Sequence, residues 1–270
     1  MFKLSELIPQ PGPNQLESLT INSRNDLGRD TFRALATHAN SLKRLDLQDL
    51  QPSALNSLHL IGPCPHLWFL TLEAEPSAQH TRWTRFSDTA VWVNSCPSLT
   101  DLKLRVADNA DIFVAAASPT TSLLSLKLWL DDDPEDPEFW TNLAQQTTLR
   151  ILEIRFNRDD DDEEFVALAR HALMVEALSS LSNLRHLILD EPMTEEDFSV
   201  AKCDDLEIVY LHAVWMDDSY LHTIASLSQL KRLVFSSPTT FTYNQLVKFV
   251  VLLREQPGAD HKGFYLGLDQ

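Results

Sequence analysis

The chain has 270 residues, of which 22 are Lys or Arg and 39 are Asp or Glu, giving a formal net charge of −17. This acidic surplus excludes an extended basic surface of the kind that holds nucleic acid or an anionic membrane, so neither is an expected partner. No apolar run reaches the ~20 residues that span a bilayer, and the first residues lack the apolar core and cleavage site of a signal peptide. Three cysteines do not suit a disulfide framework, so we expect an intracellular protein, cytoplasmic or nuclear.

One leucine motif, L-x-x-L-x-L, recurs from end to end of the chain. Its nine copies begin at Leu16, Leu42, Leu67, Leu99, Leu123, Leu149, Leu184, Leu206 and Leu230, and a degenerate tenth copy contains Leu266 and Leu268. Successive copies begin 22 to 35 residues apart, which indicates a repeat protein rather than two domains joined by a linker. We predict a single repeat domain over 1–270, in which 1–15 form an N-terminal cap or a truncated edge.

The residues within and between the motifs predict one strand and usually one helix in each repeat. The last two apolar positions of the motif alternate with polar ones, which is the period of a short strand with one buried face. The segments expected to be helical are 30–40, 87–96, 136–146, 163–181 and 218–228. Because such a unit cannot bury its apolar face alone, we predict an α/β fold. Its form would be a right-handed solenoid, or horseshoe, with parallel strands on the concave side and helices on the convex side; the alternative is a globular βαβ protein.

The three cysteines occupy one position in the repeat. Cys64, Cys96 and Cys203 each lie three residues before the first leucine of a motif. This Cys-x-x-Leu spacing resembles the cysteine-containing repeats of F-box/LRR (leucine-rich-repeat) proteins, which have a ribonuclease-inhibitor-like fold. The resemblance implies that the repeats recognise a protein substrate in the ubiquitin pathway. The cysteines themselves are expected to be small buried residues rather than metal ligands.

The resemblance does not extend to the F-box itself. In F-box/LRR proteins a small helical F-box precedes the repeats and docks on the Skp1 adaptor of a ubiquitin ligase. Only 15 residues precede Leu16 in this sequence, which is too few for such a domain. We therefore expect the chain to recognise a protein partner without binding a Skp1-type adaptor by itself.

The third, fifth and seventh positions of each motif are expected to point away from the core and to stack ~4.8 Å apart on neighbouring strands. These positions are rich in basic residues around Trp129 in repeats four to six, and they form an apolar patch in repeats seven to nine. We predict that a protein segment of acidic and apolar character binds there. The predicted contact residues are Lys103, Arg105, Lys127, Trp129, Arg155, Ile188, Ile208, Tyr210, His212 and Val234. The alternative is that these apolar side chains have no role, since such residues are common on protein surfaces.

A long connection after the third strand, residues 73–88, mixes basic and aromatic residues. It contains Arg82, Trp83, Arg85 and Phe86. Aromatic residues and arginine are enriched at interface hot spots, so this loop is a second candidate for a binding contact. The aromatic residues could equally pin the insertion to the body of the protein, and the sequence favours neither reading.

Acidic residues concentrate in 131–138, 159–164 and 191–197 and at Asp217 and Asp218. Each of these segments directly follows a predicted strand, so they are expected to share one rim of the solenoid. The rim is either a solvated edge that keeps the protein soluble or a site for a basic partner. Calcium is not expected, because no segment has the alternating acidic residues and glycine of an EF-hand loop.

One set of residues invites a catalytic hypothesis. Asp190, His212 and Ser236 share the seventh position in three successive repeats. Strand amides are engaged in the sheet and cannot form an oxyanion hole, so no catalytic residue, metal or cofactor is expected. The sequence therefore favours a non-catalytic protein–protein interaction module, similar to the substrate-recognition region of F-box/LRR receptors. The alternatives are a hydrolase or small-molecule-binding protein that uses the concave surface, and an architectural segment of a larger assembly.

Overall fold

The structure is a computed structural model of the whole chain. The residues that it describes are 4–22, 27–74, 87–106, 109–117, 122–130, 137–156, 168–190, 205–211, 224–236, 242–255 and 265–269. By its internal contacts the chain groups into two compact units, Met1–Pro134 and Glu135–Gln270. The prediction of one domain over 1–270 stays a prediction.

The first unit contains five parallel strands in chain order. They are β1 (Ser18–Asn22), β2 (Arg44–Leu50), β3 (Phe69–Ala74), β4 (Asp101–Arg105) and β5 (Ser125–Leu130). Its helices are α1 (Leu4–Leu7), α2 (Arg29–Ala36), α3 (Pro52–Leu55), a 3₁₀ turn (Leu58–Ile61), α4 (Ser87–Asn94) and α5 (Asn109–Ala116). Each strand therefore coincides with one copy of the leucine motif.

The second unit repeats the same plan. Its parallel strands are β6 (Ile151–Phe156), β7 (His186–Leu189), β8 (Ile208–Leu211), β9 (Arg232–Ser236) and β10 (Tyr265–Asp269). The helices whose bounds the structure describes in this unit are α6 (Pro137–Gln145), α7 (Leu168–Ser180) and α8 (Tyr243–Glu255), and residues 224–225 are also helical. Parallel strands in chain order, each from one motif copy, confirm the predicted α/β leucine-rich-repeat solenoid.

The strand register aligns the motif leucines rung by rung. In the first unit Leu45 pairs with Leu70, Leu70 with Leu102, and Leu102 with Leu126. All four side chains are fully buried or nearly so. Period-2 alternation places these leucines on one face, where each contacts the equivalent leucine of the next strand about 4.8 Å away. The repeat thus converts a sequence pattern directly into a continuous apolar core.

A second regular feature lies just before each strand, at the second position of the motif. There one backbone carbonyl accepts two N–H donors from the next repeat; Lys43 O, for example, accepts from Trp68 N at 3.0 Å and from Phe69 N at 3.3 Å. The carbonyls that do this are those of Glu17, Lys43, Trp68, Thr100, Arg150, Arg185 and Glu207. Each such pair of bonds fixes where the following strand starts relative to the preceding one.

The cysteine position is buried, as expected. Cys64 and Cys96 are both reduced and buried, in consecutive repeats, where Cys64 Sγ donates to Gly62 O at 3.6 Å and Cys96 Sγ donates to Trp92 O at 3.5 Å. The neighbouring Cys96 side chain, together with burial, raises the pKa of the Cys64 thiol far above its ordinary value. The thiol is therefore kept neutral, as suits a small apolar residue. Cys203 lies outside the described residues.

The segment before the first strand packs on the first repeat. Ile8 is buried, and its carbonyl oxygen lies 2.9 Å from Nε2 of the buried His38, which follows α2. The other ring nitrogen of His38, Nδ1, accepts from Leu16 N at 3.4 Å. In the part of the chain that is described, none of the helices has the length and apolar character needed to cross a membrane.

Candidate protein-binding face

The third, fifth and seventh motif positions of each unit define what we call the outward face of its sheet. The register places equal positions side by side, as predicted: Lys103 pairs with Lys127 and with Thr71, and Tyr210 pairs with Ile188 and with Val234. The predicted columns of side chains therefore exist within each unit. Whether a column can bind a partner depends on which of its side chains already pair with other side chains of this chain.

In β1–β3 several side chains of the outward face contact one another. Arg44 lies over the Phe69 ring, with Cζ 3.6 Å from the ring centroid, and its Nη2 is 3.7 Å from Asp46 Oδ2. Gln48 Nε2 donates to Asp46 Oδ1 at 3.1 Å, while Gln48 Oε1 accepts from Asn22 Nδ2 at the same distance. These contacts link the three strands on the outward face.

The basic residues of β4 and β5 differ in their contacts and in their exposure to solvent. Lys103 forms an ion pair with Glu73 of the preceding strand, and its Nζ lies 5.1 Å from the Trp129 ring centroid. Arg105 is exposed and sits in register with Glu73, and Lys127 is half-buried. The cation found on the Trp129 ring is thus a lysine from the neighbouring strand, and Glu73 partly neutralises the predicted basic cluster.

An outward position is not always an exposed one. Asp46, Thr71 and Glu153, all at the fifth position, are buried although they point away from the leucine core. The side chains beside them are long: Arg44 and Gln48 contact Asp46, and Arg155 contacts Glu153. Period-2 alternation predicts the face correctly but does not show how far neighbours shade it.

In the second unit, Arg155 is engaged within its own strand. Its Nε donates to Glu153 Oε1 at 2.7 Å. Glu153 is buried, and this bond to Arg155 helps to compensate the charge of its carboxylate. Arg155, predicted as a free contact for an acidic partner, is therefore already held by a carboxylate of this chain.

The predicted apolar patch is present in part. Ile188, Ile208 and Tyr210 are half-buried on the outward face. Val234 is only 1% exposed, so the expectation that it offers an exposed apolar surface is wrong. Its neighbours in register are Tyr210 on β8 and Gly267 on β10, and the space above that glycine is taken by the Tyr265 ring.

The structure also shows three residues that sequence reasoning did not select. Arg232 Cζ lies 5.1 Å from the Tyr210 ring centroid and 4.9 Å from that of Tyr265. Tyr265 is 51% exposed, and Gly267 leaves the room that its ring occupies. A signal existed, because Tyr265 is the third position of the degenerate tenth motif; extending the column by one repeat places it beside Arg232.

A further missed feature lies at the second motif position of the first unit. Trp68 and Leu124 are exposed apolar residues there, and the Trp68 ring packs edge-on against Phe69 with centroids 5.9 Å apart. Since only odd positions were expected to face outward, the sequence pattern gave no reason to select them.

Several predicted sites lie outside the described residues. These are His212, the loop residues Arg82, Trp83, Arg85 and Phe86, the acidic segments 159–164 and 191–197, most of 131–138, and Asp217 with Asp218. The proposed Asp190, His212 and Ser236 column is consequently described only in part. Among the described residues, no group of three or more His, Cys, Asp or Glu side chains is arranged to hold a metal ion.

Comparisons with known proteins were made by sequence and by structure. No protein-family model matches the chain, and no curated protein matches it by sequence. Among solved structures, one to which the chain is similar is an internalin from Listeria monocytogenes. The similarity has a TM-score of 0.32 and 10% sequence identity, and it covers 97% of this chain and 88% of the internalin.

Proposed function

We propose that this chain is a non-catalytic protein-interaction module that binds its partner through the outward face of its sheets. The observation that carries this proposal is the set of cations stacked on exposed or half-exposed aromatic rings: Lys103 on Trp129 in the first unit, and Arg232 between Tyr210 and Tyr265 in the second. Tyrosine, tryptophan and arginine are the residues most enriched in the energetic centres of interfaces.

The backbone supports this use of the face. Each strand is paired in fixed register with its neighbours in its unit, and doubled hydrogen bonds hold the strand starts. A partner would thus meet side chains on a rigid scaffold and would lose little entropy in ordering them. The described strand amides are engaged in pairing, which favours binding over chemistry at this face.

The finer proposal is that the chain acts like the substrate-recognition region of F-box/LRR receptors. Its support is the Cys-x-x-Leu register, in which Cys64 and Cys96 are buried in consecutive repeats. On this proposal the chain works in the cytoplasm or nucleus and holds a protein partner.

Quantitative affinity purification of the full chain from its native cells tests the proposal. Two variants change the outward face, Arg105→Gln with Trp129→Ala in the first unit and Tyr210→Ala in the second. Arg105 is neutralised rather than reversed because it lies in register with Glu73, and it is preferred to Arg155, which is bonded to the buried Glu153. The control is Val91→Ser on α4, at a side chain that is 70% exposed.

We expect one or more proteins to be recovered with the unmodified chain and with Val91→Ser, and to be depleted about tenfold or more by at least one outward-face variant, since truncated hot-spot residues typically cost over 1 kcal/mol. All variants should fold, because the changed side chains lie outside the leucine core. Equal recovery with every variant would show that binding does not use the outward face.

A further inference from the structure

The guanidinium of Arg232 is held in place by two aromatic rings. Its Cζ is 5.1 Å from the Tyr210 centroid and 4.9 Å from the Tyr265 centroid, within the range of cation–π attraction. Arg232 is nonetheless exposed, as is Tyr265. A guanidinium flanked by rings keeps the N–H donors at its edge available, and it is ordered before any ligand arrives.

A glycine makes this arrangement possible. Gly267 pairs with Val234 in the sheet, and a Cβ at position 267 would lie 2.9 Å from Tyr265 Cε1 and 3.2 Å from Val234 Cγ2. The Tyr265 ring therefore lies over the glycine, in the space that any other residue would fill. With a side chain at 267 the ring would have to move, and the position of Arg232 would lose one of its two supports.

No acidic residue shares the third and fifth motif positions of β7–β10 with Arg232. The third and fifth positions of β7–β10 are His186, Ile188, Ile208, Tyr210, Arg232, Val234, Tyr265 and Gly267. None of these is acidic, although the chain carries a net charge of −17. Acidic residues return at the seventh position, at Asp190 and Asp269, about 13 Å along the strands from the third position.

The acidic residue that precedes β8 is already engaged. Glu207 accepts from Lys231 Nζ at 2.6 Å and lies 3.5 Å from Arg185 Nη1. Among the ion pairs of the described residues, none uses Arg232. Among the described residues, then, the Arg232 guanidinium contacts two aromatic rings and is paired with no carboxylate.

We propose that Tyr210, Arg232 and Tyr265, the Tyr–Arg–Tyr cluster, bind an Asp or Glu side chain in an extended peptide segment of the partner. The carboxylate would accept two N–H bonds from the edge of the guanidinium, the geometry that arginine provides and lysine does not. An apolar side chain next to the acidic one would lie on Ile208 and Ile188, which are half-buried beside the cluster in register. This inference rests on the proposed function and names the chemistry of the partner for the second unit.

The test selects ligands without assuming the partner. A random twelve-residue peptide library is displayed and selected against the immobilised full chain, and enriched peptides are resynthesised with fluorescein for anisotropy titration. Four variants are compared with the unmodified chain: Arg232→Gln, Arg232→Lys, Gly267→Ala and the control Arg33→Gln. Arg33 is an exposed arginine of α2 in the first unit, so its loss changes the net charge equally.

We expect enriched peptides to contain Asp or Glu next to Leu, Ile or Phe. Arg232→Gln should weaken their binding about tenfold or more, since a hydrogen bond to a charged group is lost. Arg232→Lys should bind these peptides more tightly than Arg232→Gln but more weakly than the unmodified chain. Gly267→Ala should weaken binding although it changes no charge. Arg33→Gln should leave binding unchanged. Replacing the acidic residue of the peptide by its amide should cost as much as Arg232→Gln, and the two changes together should cost no more than either alone.

Failure of the carboxylate proposal can be distinguished from failure of the proposed function. Enriched peptides without acidic residues, or acidic peptides that bind Arg232→Gln normally, overturn the carboxylate proposal, and so does a library from which nothing is enriched. The proposed function survives those results if Tyr210→Ala or Trp129→Ala still removes a partner in affinity purification. Peptides or partners that bind every outward-face variant normally overturn both.

Discussion

His38 shows how one buried polar side chain joins distant parts of the chain. Its ring lies between the Ile8 carbonyl and the Leu16 N–H, residues that precede the first strand. A carbonyl can only accept and an amide N–H can only donate, so Nε2 carries the proton and Nδ1 does not. The ring thereby satisfies one buried backbone carbonyl and one half-buried backbone N–H.

We predict that His38→Ala lowers the free energy of unfolding by about 1–3 kcal/mol, because both backbone groups lose their partner. Urea titration followed by circular dichroism measures it. The control is His59→Ala, at an exposed imidazole on the 3₁₀ turn, which should change stability by less than about 0.5 kcal/mol. Equal effects of the two substitutions would contradict a structural role for His38.

Among the elements, the strands owe their stability to the motif leucines. Leu126 on β5 is 0% exposed and pairs with Leu102 of β4. Its truncation to alanine leaves a cavity, so Leu126→Ala should cost about 2–5 kcal/mol of unfolding free energy in urea. Leu124, two residues earlier and 38% exposed, is the matched control, and Leu124→Ala should cost about 1 kcal/mol or less. Similar costs at both positions would contradict the assigned core face.

The strand starts of the second unit carry an acid-sensitive ion cluster. The hydrogen bond from Lys231, with the nearby charges of Lys231, Arg185 and His186, holds the pKa of Glu207 below its ordinary value of 4.5. A depressed pKa means that the folded state favours the carboxylate. The stabilisation is therefore present above about pH 4.5 and is lost as the pH falls through the lower folded pKa.

Glu207→Gln should accordingly flatten the fall of Tm on acidification below about pH 4.5, while changing the slope little at neutral pH. Thermal unfolding at a series of pH values checks this. Glu176→Gln, at an exposed glutamate on α7, is the control and should keep the slope of the unmodified chain. An unchanged acid slope for Glu207→Gln would show that the cluster contributes nothing to folding.

The elements also show what sequence can and cannot predict. Leucine periodicity predicts each described strand and, within each unit, its register, because burial of one face strongly specifies the pairing. It could not predict that Lys103 is paired with Glu73 or that Val234 is buried. Those outcomes depend on the rotamers that long side chains adopt on neighbouring strands. The cluster at Arg232 includes Tyr265, which is the third position of the degenerate tenth motif and lies outside the nine full copies.

At the scale of the whole molecule, the sequence predicts one domain, while contacts group the chain into Met1–Pro134 and Glu135–Gln270. The repeat continues across that boundary, from Leu123 to Leu149, at a spacing typical of the chain. We therefore expect amides of β3 and β8 to lose hydrogen-exchange protection at the same urea concentration. Protection that disappears from one strand well before the other would indicate two independent domains.

The doubled hydrogen bonds at the strand starts have a consequence for how such a chain can change over generations. Seven of the described strands begin at doubled hydrogen bonds to the carbonyl just before the preceding strand, so the length of the intervening connection can vary without changing which of their side chains face outward. A whole repeat can then be duplicated or deleted without scrambling the others. Each repeat gained or lost lengthens or shortens the outward face by one strand spacing, about 4.8 Å. Selection can adjust the distance between two partner contacts in those steps while leaving each contact intact.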